Sequence, residues 1–145
     1  MGRIDTSILL PGPIEEVFAF FADARNLETI TPPWLHFSVI TPEPIEMAVG
    51  TLLDYRLRIR GLPIGWRSRI TAWEPPHRFV DEQVRGPYRR WVHEHTFEAR
   101  NGGTEVRDRV DYRAPLAFLT ERLLVRRDVE RIFAYRQRKL EENFS

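Results

Sequence analysis

The sequence of 145 residues contains no cysteine. That absence excludes disulfide bonds, thiolate metal sites and cysteine nucleophiles. The sequence also lacks a long apolar run, because the one near its start, residues 8–10, stops at Pro11. Such a run is too short for a signal peptide or a membrane helix. We therefore expect a cytoplasmic protein without stable membrane insertion.

The sequence also lacks a large net charge of either sign. The 22 basic residues face 21 acidic residues, for a net charge of +1, whereas nucleic-acid-binding domains are usually strongly basic. We therefore expect no nucleic-acid partner. Nearly all of the basic residues are arginine, and Lys139 is the only lysine. The length, with 42% hydrophobic and 30% charged residues, predicts one globular domain over residues 1–145.

Alternating and helical periodicities predict an ordered series of elements. A strand at residues 3–10 ends at Pro11 and is followed by a helix that begins near Pro13 and a second short helix at residues 24–30. Six more strands are predicted at residues 34–40, 51–60, 64–73, 78–85, 89–99 and 104–112. Strands joined by hairpin-length turns indicate an antiparallel sheet, so the fold class is α+β.

A long C-terminal helix is predicted over residues 116–143. Its apolar positions form one stripe, which comprises Phe118, Val125, Val129, Ile132, Phe133 and Leu140. Arg136 falls in the middle of this stripe and Arg122 falls at its edge. An arginine on the face that covers the sheet is costly to bury unless it is paired. The pattern therefore places Arg136, and less directly Arg122, on the inner side of the helix.

Three segments and the order of the elements resemble the START-like (SRPBCC) superfamily and its helix-grip fold. The segments are LLPGPIEEVFAFFADARNLETITP, ITAWEPPHRFVDEQ and HTFEARNGGTEVRDRVDYRAP. The resemblance implies a curved antiparallel sheet of about seven strands wrapped around the long C-terminal helix, with two short helices after the first strand. It also implies a deep cavity for apolar ligands such as lipids, sterols, polyketides or quinones, and it carries over no catalytic motif.

Strand parity brings polar side chains to the inward face of this sheet. On the strand at 89–99, the more aromatic face carries two histidines, and on the strand at 104–112, Asp108 shares the inward face with apolar residues. On the strand at 78–85, either the Phe79 set or the Val80 set faces inward, and we favour the Phe79 set. The predicted ligand-binding residues are Tyr55, Trp66, Phe79, Asp81, Gln83, Trp91, His93, His95, Phe97, Asp108 and Arg136.

Three interpretations of the polar residues stay open. In the first, Asp108 and Asp81 neutralise the histidines and Arg136 in an internal network without chemistry. In the second, Arg136 or the histidines anchor a carboxylate, phosphate or carbonyl group of an apolar ligand. In the third, the candidate catalytic residues His93, His95 and Asp108 supply an acid–base pair.

The same two histidines and Asp108 also match a two-histidine, one-carboxylate metal site. A lone His-x-His pattern is a weak signal, so we predict no metal and no other cofactor. The predicted function is binding, or transport, of a hydrophobic or amphipathic small molecule in the internal cavity. The alternative is an enzyme of the polyketide cyclase, aromatase or dehydratase type that uses a His–Asp pair in the same cavity. The sequence predicts neither the ligand nor the oligomeric state.

Overall fold

The computed structural model of the chain describes residues 2–114 and 122–144, apart from the side chain of Arg122. The strands are β1 (Gly2–Pro11), β2 (Ser38–Val39), β3 (Leu52–Ile59), β4 (Leu62–Glu74), β5 (Arg78–Arg85), β6 (Arg90–Arg100) and β7 (Gly103–Arg113). The helices are α1 (Ile14–Ala22), α2 (Asn26–Ile30) and α3 (Arg122–Phe144), with a 3₁₀ turn at Pro33–Leu35. The predicted helix start, residues 116–121, and its Phe118 lie outside the described residues.

The seven strands form one antiparallel sheet in the order β1-β7-β6-β5-β4-β3-β2. Hairpins join β3 through β7 in turn, and β1 pairs with β7 along its whole length. The sheet curls into a half-barrel, and α3 packs against it with the shorter helices to one side. The α+β class and the helix-grip fold predicted from the sequence are confirmed.

The segment between α2 and β3 differs from its prediction. The sequence predicts a strand at residues 34–40, but the structure has the 3₁₀ turn and only the two paired residues of β2. Pro32 and Pro33 have no N–H to donate to a sheet, and His36 adopts a left-handed backbone with φ 48°, which ends an extended run. β1, in contrast, continues through Pro11 because an edge strand tolerates proline.

Two apolar clusters hold the sheet and helices together. Beneath α1, the ring of Phe18 lies 5.0 to 5.8 Å from the rings of Phe97, Trp73 and Phe79. Beneath α3, the second cluster comprises Ile4, Val110, Tyr112, Val125, Val129 and Phe133. The predicted stripe on α3 is therefore confirmed where it is described, and Arg136 lies within it at 6% exposure. No helix among the described residues is both long and apolar enough to cross a membrane.

Candidate functional site

A cavity of about 440 Å³ lies between the inner face of the sheet and α3. Its walls come from α2, the 3₁₀ turn, β3, β4, β5, β6 and α3, and most of the lining surface is apolar. Small-molecule sites typically enclose roughly 300–1,000 Å³. The space therefore suits one small ligand.

Three aromatic side chains form one wall of this cavity. Trp66 and Trp91 meet edge to face with ring centroids 5.4 Å apart, and Tyr88 lies 4.8 Å from Trp91. Ser68 accepts a hydrogen bond of 3.0 Å from the indole Nε1 of Trp66. Each tilted or edge-to-face aromatic pair stabilises the fold by about 0.5–1.5 kcal/mol beyond the contribution of burial. The wall is thus a fixed aromatic surface.

Four ionisable side chains from three adjacent strands meet at the inner end of the cavity. Asp81 on β5 stands opposite His93 on β6, and His95 stands opposite Asp108 on β7. The short hydrogen bonds run along the diagonals: His95 Nε2 lies 2.8 Å from Asp81 Oδ2, and His93 Nε2 lies 2.9 Å from Asp108 Oδ1. Diagonal neighbours on a sheet are within reach of side chains of this length.

The directly opposite pairs are less well aligned. His95 Nδ1 lies 3.2 Å from Asp108 Oδ1 but makes no aligned hydrogen bond, and His93 Nδ1 lies 4.0 Å from Asp81 Oδ2. The two imidazole rings stack with their centroids 3.7 Å apart. His95 also stacks on Phe79 at 4.0 Å. The apolar core beneath α1 therefore holds His95 from below.

Arg136 completes this network from α3. Its Nε and Nη2 each donate to the Asp108 carboxylate over 3.2 Å, and only 3% of the Asp108 side chain is exposed. Paired contacts of this kind fix both the distance and the orientation of the two groups. We call Asp81, His93, His95, Asp108 and Arg136 the inner network.

The two carboxylates of the inner network stay ionised. Burial alone raises the pKa of Asp108, but Arg136 and the two histidines outweigh burial and hold it well below its ordinary value. Burial likewise raises the pKa of Asp81, and the hydrogen bond from His95 and the nearby positive charges bring it below its ordinary value. Two negative charges thus face the single fixed positive charge of Arg136, so one proton on a histidine balances the network.

That proton belongs on His95. Burial lowers the pKa of His95, but the carboxylates of Asp108 and Asp81 on either side of its ring outweigh burial and raise it. Burial and the neighbouring His95 together lower the pKa of His93. His93 is therefore neutral at neutral pH. A carboxylate can only accept, so the hydrogen of neutral His93 sits on Nε2, toward Asp108, and Nδ1 keeps a lone pair.

Charged and aromatic side chains frame the opening of the cavity. Arg60, after β3, forms an ion pair of 2.7 Å with Asp128 on α3. The guanidinium of Arg131 lies 4.8 Å from the ring centre of Trp34, a cation–π distance. Arg58 also lines the cavity, and no ion pair to it occurs among the described residues. The opening therefore joins the 3₁₀ turn and the β3–β4 hairpin to α3 through polar contacts.

The structure brings most of the predicted ligand-binding residues to the cavity wall. Those that line it are Tyr55, Trp66, Asp81, Trp91, His93, His95 and Arg136. The inward face of the strand residues follows from strand parity and that of Arg136 from the helical period, and the preference for the Phe79 set on β5 agrees with the inward position of Asp81. Their role in binding stays a prediction.

Four predicted residues do not line the cavity, which corrects their placement. Phe79 and Phe97 are buried beneath α1 in the first apolar cluster, because α1 covers that end of the sheet. Asp108 lies behind the histidines at 2% exposure. The amide of Gln83 is bonded to the backbone of Tyr88, donating to its carbonyl and accepting from its N–H.

Four residues that line the cavity, at its opening and in its aromatic wall, were not predicted as site residues. Arg58 and Arg131 read as outward-facing from the periodicity of their elements, and Trp34 and Tyr88 lie outside the regular strands. The length of an arginine side chain allows its guanidinium to reach the edge of the cavity from a position that points away from the sheet. The pairing of Trp34 with Arg131 depends on how the 3₁₀ turn meets α3, and no local sequence pattern reports that.

Asp81, His93 and His95 are the group in the described residues that could hold a metal ion. One donor atom from each lies within 4.8 Å of the others. The carboxylate of this group is therefore Asp81 and not Asp108 as predicted, and Asp108 instead accepts a hydrogen bond from His93 Nε2. A cation bound through His95 Nε2 would displace the 2.8 Å hydrogen bond between that nitrogen and Asp81.

Comparison with solved structures supports the fold. Protein Ms6760 from Mycobacterium smegmatis is similar with a TM-score of 0.76 and 17% identity, over 99% of this chain and 90% of that one. Major latex-like protein 151 from Panax ginseng is similar with a TM-score of 0.68 and 14% identity, over 99% and 97%. A nucleoside-diphosphate sugar epimerase from Corynebacterium glutamicum is similar with a TM-score of 0.71 and 28% identity, over 96% of this chain and 28% of that one.

Similarity at the level of a family extends over the whole sequence. No curated protein matches this chain. Residues 1–145 match the family described as polyketide cyclase / dehydrase and lipid transport. This match agrees with the curled sheet, the long C-terminal helix and the internal cavity described above. The chain belongs to the polyketide cyclase / dehydrase and lipid transport family.

Proposed function

We propose that the protein binds a hydrophobic or amphipathic small molecule in the cavity between the sheet and α3, for storage or transport. The observation that carries this proposal is an apolar cavity of about 440 Å³ with a fixed aromatic wall and a polar group at one end. An apolar space with a few convergent polar groups is the common form of a ligand site. The family match supports hydrophobic ligands as the class.

The shape of the cavity suits an amphipathic ligand. Its aromatic wall favours a flat apolar body, while the opening carries the cations Arg58 and Arg131. A ligand with an anionic group would therefore enter with its apolar part first. The inner network would then meet the end of the ligand that enters first.

Binding of 1-anilinonaphthalene-8-sulfonate tests this function, because the dye has an apolar body and one anionic group. We expect saturable binding of one dye per chain, seen as a rise in dye fluorescence. Ile132→Trp, which replaces an aliphatic side chain of the cavity wall by a larger aromatic one, should weaken binding at least tenfold. Leu123→Trp is the matched control on the same helix, since Leu123 is 77% exposed. Absence of saturable binding, or equal binding by both variants, would refute the proposal.

A second candidate function is proton abstraction next to a carbonyl group, as in a cyclase or dehydratase. It is favoured by one observation: neutral His93 presents an unbonded Nδ1 while Asp108 holds its other nitrogen. A base oriented in this way by a carboxylate is a common catalytic arrangement. Exchange of the α-hydrogens of 2-tetralone in D₂O, followed by NMR, tests it. Loss of exchange in His93→Gln would support this function, and exchange no faster than in buffer would refute it.

A further inference from the structure

The inner end of the cavity presents one acceptor and one donor on two side chains that are both bonded to Asp108. His93 Nδ1 lies 4.0 Å from the nearest carboxylate oxygen, beyond hydrogen-bond length, and makes no hydrogen bond among the described residues. Arg136 uses Nε and Nη2 for Asp108, so its Nη1 has no partner in that part of the chain. Both residues line the cavity. Each is held by the same carboxylate, which fixes them relative to one another.

The acceptor is set by the chain itself. Asp108 accepts the hydrogen bond from His93 Nε2, and the aromatic ring of Phe133 on α3 lies 5.5 Å from the His93 ring. The imidazole can therefore neither flip nor turn without losing the bond to Asp108. The second oxygen of Asp81, whose side chain is 19% exposed, adds another acceptor nearby. A ligand atom between these groups is best satisfied if it carries a hydrogen to donate.

We propose that the inner end of the cavity is a subsite for an acidic hydroxyl group, such as a phenol or an enol, on an otherwise aromatic or apolar ligand. The hydroxyl donates its hydrogen to His93 Nδ1, and its oxygen accepts from Arg136 Nη1. This inference rests on the proposed binding function and specifies the ligand class. An ether or a ketone leaves His93 Nδ1 without a donor, and a carboxylate meets the negative charge of Asp81.

A hydroxyl used in this way binds more tightly as it becomes more acidic. A stronger acid donates a stronger hydrogen bond to the imidazole, and the growing negative charge on its oxygen is stabilised by the guanidinium. If the hydroxyl instead only accepted a hydrogen bond, the order would be reversed. The sign of this dependence therefore separates the two arrangements without a change to the protein.

The test is a matched series of probes that differ at one substituent: 2-methoxynaphthalene, 2-naphthol and the more acidic 6-cyano-2-naphthol. Each is titrated by quenching of tryptophan fluorescence, because Trp34, Trp66 and Trp91 line the cavity. We expect 2-naphthol to bind about 3- to 10-fold more tightly than its methyl ether, which corresponds to one hydrogen bond. We expect the cyano compound to bind more tightly still. Equal affinities, or tighter binding of the ether, would overturn the assignment.

Two variants locate the effect. Glutamine in His93→Gln can keep the bond to Asp108 through its Nε2 but has no atom in the place of Nδ1, so the ratio between naphthol and ether should fall toward one. The matched control is His77→Gln, since His77 is exposed in the turn between β4 and β5; there the ratio should be unchanged. Retention of the ratio in His93→Gln would contradict the subsite.

The outcomes separate this inference from the function on which it rests. If no naphthalene probe binds, the binding function itself fails. If all of them bind with one affinity, the cavity binds ligands and the hydroxyl subsite is wrong. The wild-type titrations are repeated with EDTA, because Asp81, His93 and His95 are also spaced for a metal ion. A preference for naphthol that disappears with the chelator would assign it to a bound metal and overturn the inference.

Discussion

Replacement of Asp108 by asparagine should destabilise the fold strongly. Asp108 is 2% exposed and receives Arg136 through two bonds of 3.2 Å and His93 through one of 2.9 Å. Asp108→Asn keeps the shape of the side chain but removes its charge. The guanidinium of Arg136, which is 6% exposed, then lies in a largely apolar stripe without its anion.

The expected cost follows from this loss of one partner of a buried pair. Removal of one member typically destabilises by about 3–5 kcal/mol, since the other charge stays buried. In a domain of this size, 1 kcal/mol corresponds to about 2–4 °C in Tm, so we expect a decrease of roughly 6–20 °C. The loss should be recovered in part by adding Arg136→Met, which removes the stranded cation. Arg136→Met should therefore cost less in Asp108→Asn than in the wild type.

Urea unfolding followed by circular dichroism measures this prediction. The midpoint should fall while the slope stays constant, which indicates a change in stability alone. The control is Asp54→Asn, which breaks a bidentate pair with Arg67 whose side chains are 34% and 37% exposed. Exposed pairs contribute about 0–1 kcal/mol. A loss below about 1 kcal/mol in Asp108→Asn, or an additive double variant, would refute the reasoning.

Three further predictions concern the pH dependence of stability, the sheet and the opening. The pKa of His95 is raised on folding, so the stabilisation by protonated His95 is complete below about pH 6.5 and is lost as the pH rises through the folded pKa. The urea midpoint should therefore fall less between pH 6 and pH 9 in His95→Gln than in the wild type. Equal decreases of the midpoint in the two proteins would contradict this. Gly103→Ala places a Cβ 2.5 Å from a backbone oxygen of β1 and should lower the free energy of unfolding, measured in urea, by about 1–3 kcal/mol. Gly65→Ala, whose Cβ has no atom within 4 Å, should lower it little. Equal urea midpoints of the two variants would contradict the prediction and show that β1 moves to accommodate the Cβ. Asp128→Asn removes the ion pair across the opening and should raise the dissociation rate of 1-anilinonaphthalene-8-sulfonate in stopped flow with little change in Tm, so an unchanged rate would exclude a role for the pair in exchange.

Much of the fold could be predicted, because the spacing of apolar residues along a strand or helix shows which of its faces is buried. Alternation along β6 and β7 places His93, His95 and Asp108 on the inner side, and the helical period places Arg136 opposite them. Strand bounds from β3 to β7 fall within two residues of those predicted. These features depend on neighbours in sequence, and on the principle that one face of each element is buried.

The rest depends on contacts between distant parts of the chain. The diagonal bonds within the inner network follow from the register of three strands, which parity alone does not fix. The assignment of the proton to His95 rather than His93 depends on two carboxylates that approach its ring from β5 and β7. The strand at residues 34–40 was predicted too long, because its apolar residues suggest a strand while the prolines before β2 restrict the backbone.

The ion pair between Arg136 and Asp108 also determines how α3 seats on the sheet. An apolar stripe alone is permissive, since Ile132 and Leu140 lie one helical turn to either side of Arg136 and are themselves packed inward. If α3 were shifted along its axis by one turn, other apolar side chains of the helix would make most of the lost apolar contacts. An aliphatic side chain, however, would then face Asp108. The carboxylate would then be left buried without a cation. The ion pair therefore selects one axial position of α3 on the sheet, and with it one shape of the cavity.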